Sequence, residues 1–145
     1  MKIRVELLDH AKELNLPQYA TLQSAGIDFM AAIEEPVILL PSKRFLFPTG
    51  ICVELPKNYE MQVRPRSGLA LKHGITVLNS PGTIDADYRG EIKILLINLG
   101  EQIYQVHRGE RIAQGIISKY EQADLVITDA LEGTTRGTRG FGSTG

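Results

Sequence analysis

The sequence predicts an all-β fold, a distorted jelly-roll β-barrel or sandwich. Its apolar runs are short, rich in β-branched residues and separated by Pro-, Ser- and Gly-containing turns, at intervals typical of sandwiches and barrels. Strict alternation of apolar and polar residues from Tyr59 to Arg64 indicates a half-buried strand with one polar face. The other predicted strands lie at 36–40, 51–53, 75–78, 91–99, 111–119 and 125–127.

Two short helical segments interrupt the strands, at about residues 9–14 and 68–72, and neither is long enough to form a layer. The second is the one short helix that we assign to the fold, with Ser67 as its predicted N-cap and Gly74 near its C-terminal end. The amides after Ser67 are free to donate and Arg66 adds a charged fork, which favours an anion site. Taken alone, the segment fits a capped helix with solvated arginines equally well.

Length, composition and charge predict one soluble domain without a polymeric partner. A chain of 145 residues, 43% hydrophobic and 23% charged, is long enough to bury one core. The net charge of -1 provides no excess of basic residues to hold a nucleic acid, although a few local arginines can still face a small anion. No apolar run approaches the roughly 18 residues of a membrane span. We therefore expect no nucleic-acid or membrane partner, a cytoplasmic location and a buried Cys52.

The C-terminal residues 133–145 differ sharply from the rest of the chain. They comprise five Gly, four Thr, one Ser, two Arg and one Phe, from which no core can be built. We therefore divide the chain into a domain at 1–132 and a flexible C-terminal arm at 133–145. One interpretation of the arm is a frayed terminus. The other is a flap that closes over a nucleotide, because the arm contains arginines, accessible amides and one aromatic ring.

The polar segment at 79–90 lies between two strand runs and is predicted to form a hairpin. Such a hairpin would hold Asn79, Asp85 and Tyr88 on neighbouring backbones. An Asp can accept a proton from a water, and the flat ring of a Tyr can pack on a sugar. A polar turn without chemistry explains the segment equally well when it is taken alone.

Five segments together resemble the five motifs of the trimeric dUTPase (deoxyuridine triphosphate nucleotidohydrolase) family in order and spacing. They are 25–29, 64–70, 79–92, 111–115 and 136–145. One Arg-Ser-Gly is a weak signal, whereas all five motifs together are very specific. The resemblance implies a threefold trimer that hydrolyses dUTP to dUMP and pyrophosphate with Mg²⁺. Such an enzyme limits uracil incorporation into DNA and supplies dUMP for thymidylate synthesis.

The resemblance also implies roles for single residues. Asp85 matches the general base that draws a proton from the water attacking the α-phosphorus. Tyr88 matches the ring that packs against C2′ of the deoxyribose, and Asn79 matches the edge that reads uracil. Arg136 matches the arginine of the arm that reaches the γ-phosphate. The residues that match the remaining phosphate and base contacts are Arg66, Ser67, Gly68, Gln114, Phe141, Ser143 and Thr144.

Asp28 matches the family carboxylate that touches the metal shell through water. Mg²⁺ would then be held mainly by substrate phosphates and waters, in keeping with its preference for octahedral oxygen ligands. In the family the arm of one subunit covers a site built by its neighbours, so we expect a homotrimer with shared active sites. The arm departs from the family at Arg139, where relatives commonly carry a small residue. The spacing to Phe141 favours Arg136 over Arg139 as the phosphate-binding arginine of the arm.

Two other functions compete with dUTP hydrolysis. A dCTP deaminase resembles dUTPases in fold and phosphate handling, but it needs a glutamate near the base, and the Gly-Phe-Gly-Ser-Thr-Gly arm argues for dUTP. A non-catalytic nucleotide-binding signalling module would be expected to lack Asp85 or Tyr88. Both residues are present.

Overall fold

The computed structural model describes residues 1–142, which fold mainly into short antiparallel strands. The helical elements are a single 3₁₀ turn, Asp9–Ala11, and one α-helix, α1, Ser67–His73. The strands are β1 Arg4–Leu7, β2 Gly26–Met30, β3 Val37–Leu39, β4 Arg44–Pro48, β5 Ile51–Glu54, β6 Tyr59–Arg64, β7 Ile75–Val77, β8 Gly82–Ile84, β9 Lys93–Asn98, β10 Tyr104–Val106 and β11 Arg111–Lys119. The predicted all-β class with one short helix is confirmed.

Within residues 1–142 the strands form four small sheets that do not close into a barrel. The largest has the order β2-β11-β6-β8, and a second has the order β4-β9-β7. Two pairs, β1-β5 and β10-β3, complete the arrangement. All pairings are antiparallel and many join strands that are distant in sequence, as expected of a jelly-roll-like sandwich.

One continuous apolar core lies between the sheets. Every sheet contributes to it, as do residues from the segments that join the strands. The alternation predicted for β6 is confirmed, because Met61 and Val63 are buried while Arg64 is exposed. Cys52 is buried in β5, also as predicted. Among the largest fully buried side chains are Phe29, Phe47, Leu39, Ile92, Ile94 and Leu96.

The strand predicted at 125–127 is wrong. Leu125, Val126 and Ile127 are 95%, 84% and 100% exposed, and every residue from 121 to 142 is exposed. The last backbone hydrogen bond from the tail to the domain, in the described part of the chain, runs from Tyr120 N to Asn58 O. β-branched residues favour a strand only when a neighbouring strand satisfies their backbone groups, and here none lies beside them.

The two helical predictions are confirmed in position and corrected in detail. The segment at 9–14 makes only one 3₁₀ turn. The N-cap of α1 is Arg66, whose backbone is extended, so Ser67 is the first helical residue and not the cap. Gly74 ends the helix as predicted, in the left-handed conformation with φ 67°. No helix in the described range is long and apolar enough to cross a membrane.

Gly74 generates the first testable prediction. A Cβ at this position would be strained by the positive φ and would lie 2.5 Å from the backbone nitrogen of Gly100. We expect Gly74→Ala to lower the free energy of unfolding by about 2 kcal/mol or more. The measurement is the urea midpoint at fixed protein concentration. The matched control is Gly68→Ala in the same helix, where a Cβ meets open space, so the midpoint should be unchanged or slightly raised.

Candidate active site

The sheet β2-β11-β6-β8 carries parts of four of the five motif segments, those at 25–29, 64–70, 79–92 and 111–115. In its register Asp28 of β2 faces Gln114 of β11, and Gln114 faces Arg64 of β6. Directly opposed residues of an antiparallel pair place their side chains on the same face. The sheet therefore sets these three residues in one row, and α1 begins three residues after Arg64, the end of that row.

Asp28 holds two arginines together at this edge of the sheet. Its Oδ1 lies 3.3 Å from Nε of Arg66, and its Oδ2 lies 3.1 Å from Nη1 of Arg111. Arg66 also donates from Nη1 to the backbone carbonyl of Arg111, at 2.9 Å. We call Asp28, Arg66 and Arg111 the arginine corner. One carboxylate neutralises one of two guanidinium charges, so the corner keeps a local positive charge that suits a phosphate.

The start of α1 adds amide donors next to the arginine corner. The first helical hydrogen bond runs from Ala70 N to Arg66 O, so the amides of Ser67, Gly68 and Leu69 have no acceptor within the helix. Ser67 and Gly68 are exposed. The side chain of Gln114 donates from Nε2 to the carbonyl of Pro65, at 3.0 Å, and so lies against the turn into the helix. The structure thus brings the predicted residues Asp28, Arg66, Ser67, Gly68 and Gln114 together.

The strands that flank the hairpin predicted at 79–90 do pair, because β7 and β9 are antiparallel neighbours. The connection between them is longer than a simple turn and contains β8, which pairs with β6 in the other large sheet. Asn79 follows β7, and its Nδ2 would lie 3.2 Å from a Cβ on Gly82, the residue opposite Val63. The side chain of Asn79 is therefore held over the first residue of β8.

Asp85 and Tyr88 lie on a tight turn that follows β8. The amide of Tyr88 donates to the carbonyl of Asp85, at 3.2 Å, and both side chains are exposed. The Tyr88 hydroxyl donates to the carbonyl of Glu91, at 3.0 Å. Arg89 donates from Nη1 to the carbonyls of Ala86 and Tyr88, at 2.7 and 2.9 Å, and closes the turn. A carboxylate and a phenol ring thus face solvent from the same short loop.

Within one chain, Asp85 does not meet the arginine corner. Asp85 comes directly after Ile84, which is opposite Met61, whereas the row that contains Asp28 reaches β6 at Arg64. Asp85 is therefore level with Glu60, and four residues of β-strand separate Glu60 from Arg64, or about 13 Å at 3.3 Å per residue. The described residues therefore form two separate groups, one around the arginine corner and one around Asp85 and Tyr88.

The arm residues belong to neither group. Arg136 donates from Nε to the carbonyl of Arg139, at 2.9 Å, and Arg139 donates from Nε to the carbonyl of Arg136, at 3.0 Å. Phe141 is fully exposed. Up to residue 142, no hydrogen bond joins the arm to the domain. The predicted residues Ser143 and Thr144 lie outside the described residues.

A carboxylate is the only metal-binding group in the arginine corner. In the described range no cluster of three or more His, Cys, Asp or Glu side chains could hold a metal ion. Asp28 has one carboxylate, and both of its oxygens face arginines. This donor set fits an outer contact to the waters of a hydrated ion. It does not fit a protein cage, because Mg²⁺ keeps several waters and takes oxygen ligands.

The sequence revealed no role for three charged residues that the structure places close to these groups. Arg111 is the first residue of the motif at 111–115, but its contribution to the site is seen only from its ion pair with Asp28. Glu110 accepts from the hydroxyl of Tyr104 and, at 3.0 Å, from the amide of His107. Burial and the Glu110 carboxylate both raise the pKa of Tyr104.

The third such residue, Glu91, has a side chain only 11% exposed. Burial raises the pKa of its carboxyl, but hydrogen bonds from His10 and Gly50 outweigh that, and the pKa lies below its usual range. His10 is 81 positions away in sequence, so no local pattern could indicate this contact.

The comparison with known sequences decides the family. A sequence profile of the dUTPase family matches residues 12–145. The chain belongs to the dUTPase family. Proteins named deoxyuridine 5'-triphosphate nucleotidohydrolase are similar to it over nearly their whole length. The one from Beijerinckia indica is 54% identical over 99% of this chain and 91% of its own, and the one from Treponema denticola is 61% identical over 90% of each.

Solved structures of dUTPases share the fold. The dUTPase of Staphylococcus bacteriophage 80alpha, a mutant solved with dUpNHpp, superposes with a TM-score of 0.88. It is 26% identical to this chain, and the match covers 99% of this chain and 98% of the phage protein. The phage dUTPase binds a nucleotide analogue on the fold that positions the arginine corner here. The similarity therefore spans both groups of candidate residues.

Proposed function

We propose that this dUTPase-family chain is a dUTP diphosphatase, which hydrolyses dUTP to dUMP and pyrophosphate by attack of water at the α-phosphorus. The observation that carries the proposal is the exposed pair of Asp85 and Tyr88 on one hydrogen-bonded turn of a fold that also holds a cationic corner. The names of the relatives support the same activity. A dCTP deaminase or a non-catalytic module has no comparable observation in its favour.

Asp85 is proposed as the general base. Its carboxylate is exposed at the end of β8, where it can accept a proton from a water that lies in line with the α-phosphorus. Tyr88 would pack its ring against C2′ of the sugar, so that a ribose hydroxyl would clash with it. Asn79, held over Gly82, would read the edge of uracil. The segment 79–90 would thus contain both the general base and the residues that select the substrate.

The arginine corner and the start of α1 are proposed to bind the triphosphate. Arg66 would supply charge, while Ser67 and Gly68 would supply amide donors and Gln114 would add a side-chain contact. When bound, Mg²⁺ would neutralise charge on the phosphates, and Asp28 would contact its water shell. Holding the chain of phosphates in one extended geometry fixes the α-phosphorus relative to the attacking water.

We further propose that the enzyme is a homotrimer with shared active sites. In one chain Asp85 and the arginine corner are separated along β6, so groups from two subunits would have to meet to complete a site. An apolar cavity of about 500 Å³, open to solvent, lies along β1, β2 and β6, and the tail exposes Leu125, Val126 and Ile127. Such apolar surface is stabilised by contact with another subunit.

The arm is proposed to cover a site formed by neighbouring subunits. Arg136 would reach the γ-phosphate, Phe141 would stack over uracil, and Ser143 and Thr144 would add phosphate contacts. The exposure of Arg136 and Phe141 supports this role, because neither side chain packs against its own domain. We also propose that the chain divides into a domain at 1–132 and an arm at 133–145. The proposed location of the enzyme is the cytoplasm.

Pyrophosphate release from dUTP, dTTP, dCTP and UTP, with and without Mg²⁺, tests the function. We expect rapid release from dUTP alone and a strong loss when Mg²⁺ is chelated, because the phosphate charges are then less well neutralised. Ammonia release from dCTP is the control for deamination. Equal rates on all four nucleotides, or ammonia from dCTP, would contradict the proposal.

Replacement of the proposed base generates the next prediction. Asp85→Asn keeps the size of the side chain but removes its ability to accept a proton. We expect kcat to fall by about 10²–10⁴ while the affinity for dUTP stays close to normal. Single-turnover kinetics and calorimetric binding measure the two effects separately. The control is Asp87→Asn on the same turn, which should keep kcat, and a normal kcat in Asp85→Asn would rule out the assignment.

Deletion of the arm gives a separate prediction. A chain that ends at Gly133 should remain a folded trimer, since up to residue 142 the arm makes no hydrogen bond to the domain. Its kcat/KM for dUTP should be much lower, because the groups that close the site are missing. Light scattering reports the subunit count and pyrophosphate release reports the activity. Full activity of the shortened chain would show that the arm is not a flap.

A further inference from the structure

Glu91 comes three residues after Tyr88, at the exit of the turn that carries it. Its Oε1 accepts a hydrogen bond from the amide of Gly50, at 2.8 Å, and lies 2.8 Å from Nε2 of His10. Its Oε2 lies 3.6 Å from Nζ of Lys93. Lys93 is only two residues further along, but Gly50 and His10 come from two distant parts of the chain, so the carboxylate ties the loop exit to the domain. A group with so many partners fixes its own backbone as well.

The backbone of Glu91 is the anchor of the Tyr88 ring. The Tyr88 hydroxyl donates to the carbonyl oxygen of Glu91, at 3.0 Å. The ring lies against Gly90, where a Cβ would come within 2.6 Å of the ring carbon Cζ. The backbone of the next residue, Ile92, is also bound to the domain. Its amide donates to Ile51 O at 2.8 Å, and its carbonyl accepts from the Thr49 hydroxyl at 2.6 Å. The ring of Tyr88 is thus held at its far end although its face is exposed.

Rigidity of this ring determines how well it can distinguish sugars. A 2′-hydroxyl is rejected by a steric clash only if the ring cannot move away from it. A shift of about 1 Å is enough to relieve such a clash and to disturb substrate placement. The hydroxyl bond to a fixed carbonyl prevents that shift. The group that fixes the carbonyl therefore acts on selectivity without touching the substrate.

We propose that Glu91 is a positioning residue for substrate choice. Its part-buried carboxylate fixes the carbonyl that holds the Tyr88 hydroxyl, and thereby fixes the ring that separates deoxyribose from ribose. This inference rests on the proposed function, in which Tyr88 is the residue that excludes ribonucleotides. Glu91 would then contribute to the discrimination between dUTP and UTP without contacting the substrate.

The test compares kcat/KM for dUTP and UTP in a set of variants. We expect Glu91→Ala to lower the dUTP-to-UTP ratio by about tenfold, because the ring gains freedom to move. Glu91→Gln should keep a ratio close to that of the unmodified enzyme, since its amide oxygen still accepts from Gly50. Glu91→Asp, which is one methylene too short to reach Gly50 and is less disruptive to folding than alanine, should give an intermediate loss.

A double-mutant cycle with Tyr88→Phe separates positioning from general damage. Tyr88→Phe removes the hydroxyl at the other end of the same contact, so Glu91→Ala should lower the ratio little further in that background. The matched control is Val106→Ala, which opens a cavity in β10 away from the loop. That variant should lose stability but keep the ratio. Circular dichroism verifies that each variant is folded.

Several outcomes would overturn the inference. They are an unchanged ratio in both Glu91→Ala and Glu91→Asp, additive effects of Glu91→Ala and Tyr88→Phe, or an equal loss of ratio in Val106→Ala. The affinities for dUTP and UTP, measured by calorimetry in EDTA, distinguish this failure from failure of the proposed function. If the unmodified chain prefers dUTP in binding but does not hydrolyse it, the diphosphatase proposal fails. In that case the ratio of the dUTP and UTP affinities replaces the ratio of kcat/KM values, and it tests the role of Glu91 in the same variants.

Discussion

The pairing of β11 with two neighbours at once is the constraint on which the rest of the molecule depends. Strand β11 lies between β2 and β6, and this double register sets Asp28, Gln114 and Arg64 in one row. Gly115 makes the close packing possible on the other face, where a Cβ would lie 2.6 Å from Phe29 and 2.8 Å from Met61. A slip of one residue would turn every side chain of the row into the core. Core packing and ligand geometry are therefore fixed by the same ladder.

The arginine corner shows how a protein with a net charge near zero can present a local positive charge to an anionic ligand. The chain as a whole has a net charge of -1, yet Asp28 holds Arg66 and Arg111 next to the amides at the start of α1. The carboxylate keeps the two guanidinium groups near each other, which their mutual repulsion would otherwise oppose. The cost of assembling like charges is thus met during folding, before the proposed phosphate ligand binds.

Local sequence patterns predicted most of the strands and the helix. The pairing of strands and several side-chain contacts depend on residues that are distant in sequence, so these patterns could not predict them. The bounds of β11 and the end of α1 at Gly74 agree with the sequence, because alternation, β-branching and glycine at a positive φ are local signals. The strand expected at 125–127 was wrong, and the pairing of β8 with β6 inside the predicted hairpin was missed, because strand pairing depends on partners elsewhere in the chain. Candidate site residues came from the motifs. Arg111 and Glu91 became visible only through their contacts, since they bind partners many positions away.

The exposed tail has a consequence for the rate at which a site can be covered. From residue 121 to Arg136 the chain can extend to about 50 Å, whereas a chain of 145 residues has a folded radius of gyration of only about 15 Å. The tail can therefore reach past its own domain while its root stays attached beside Asn58. A tethered group of this kind meets its target at an effective concentration in the millimolar range. If the arm closes a site as proposed, closure requires no collision with a separate molecule, and its speed does not fall when the enzyme is dilute.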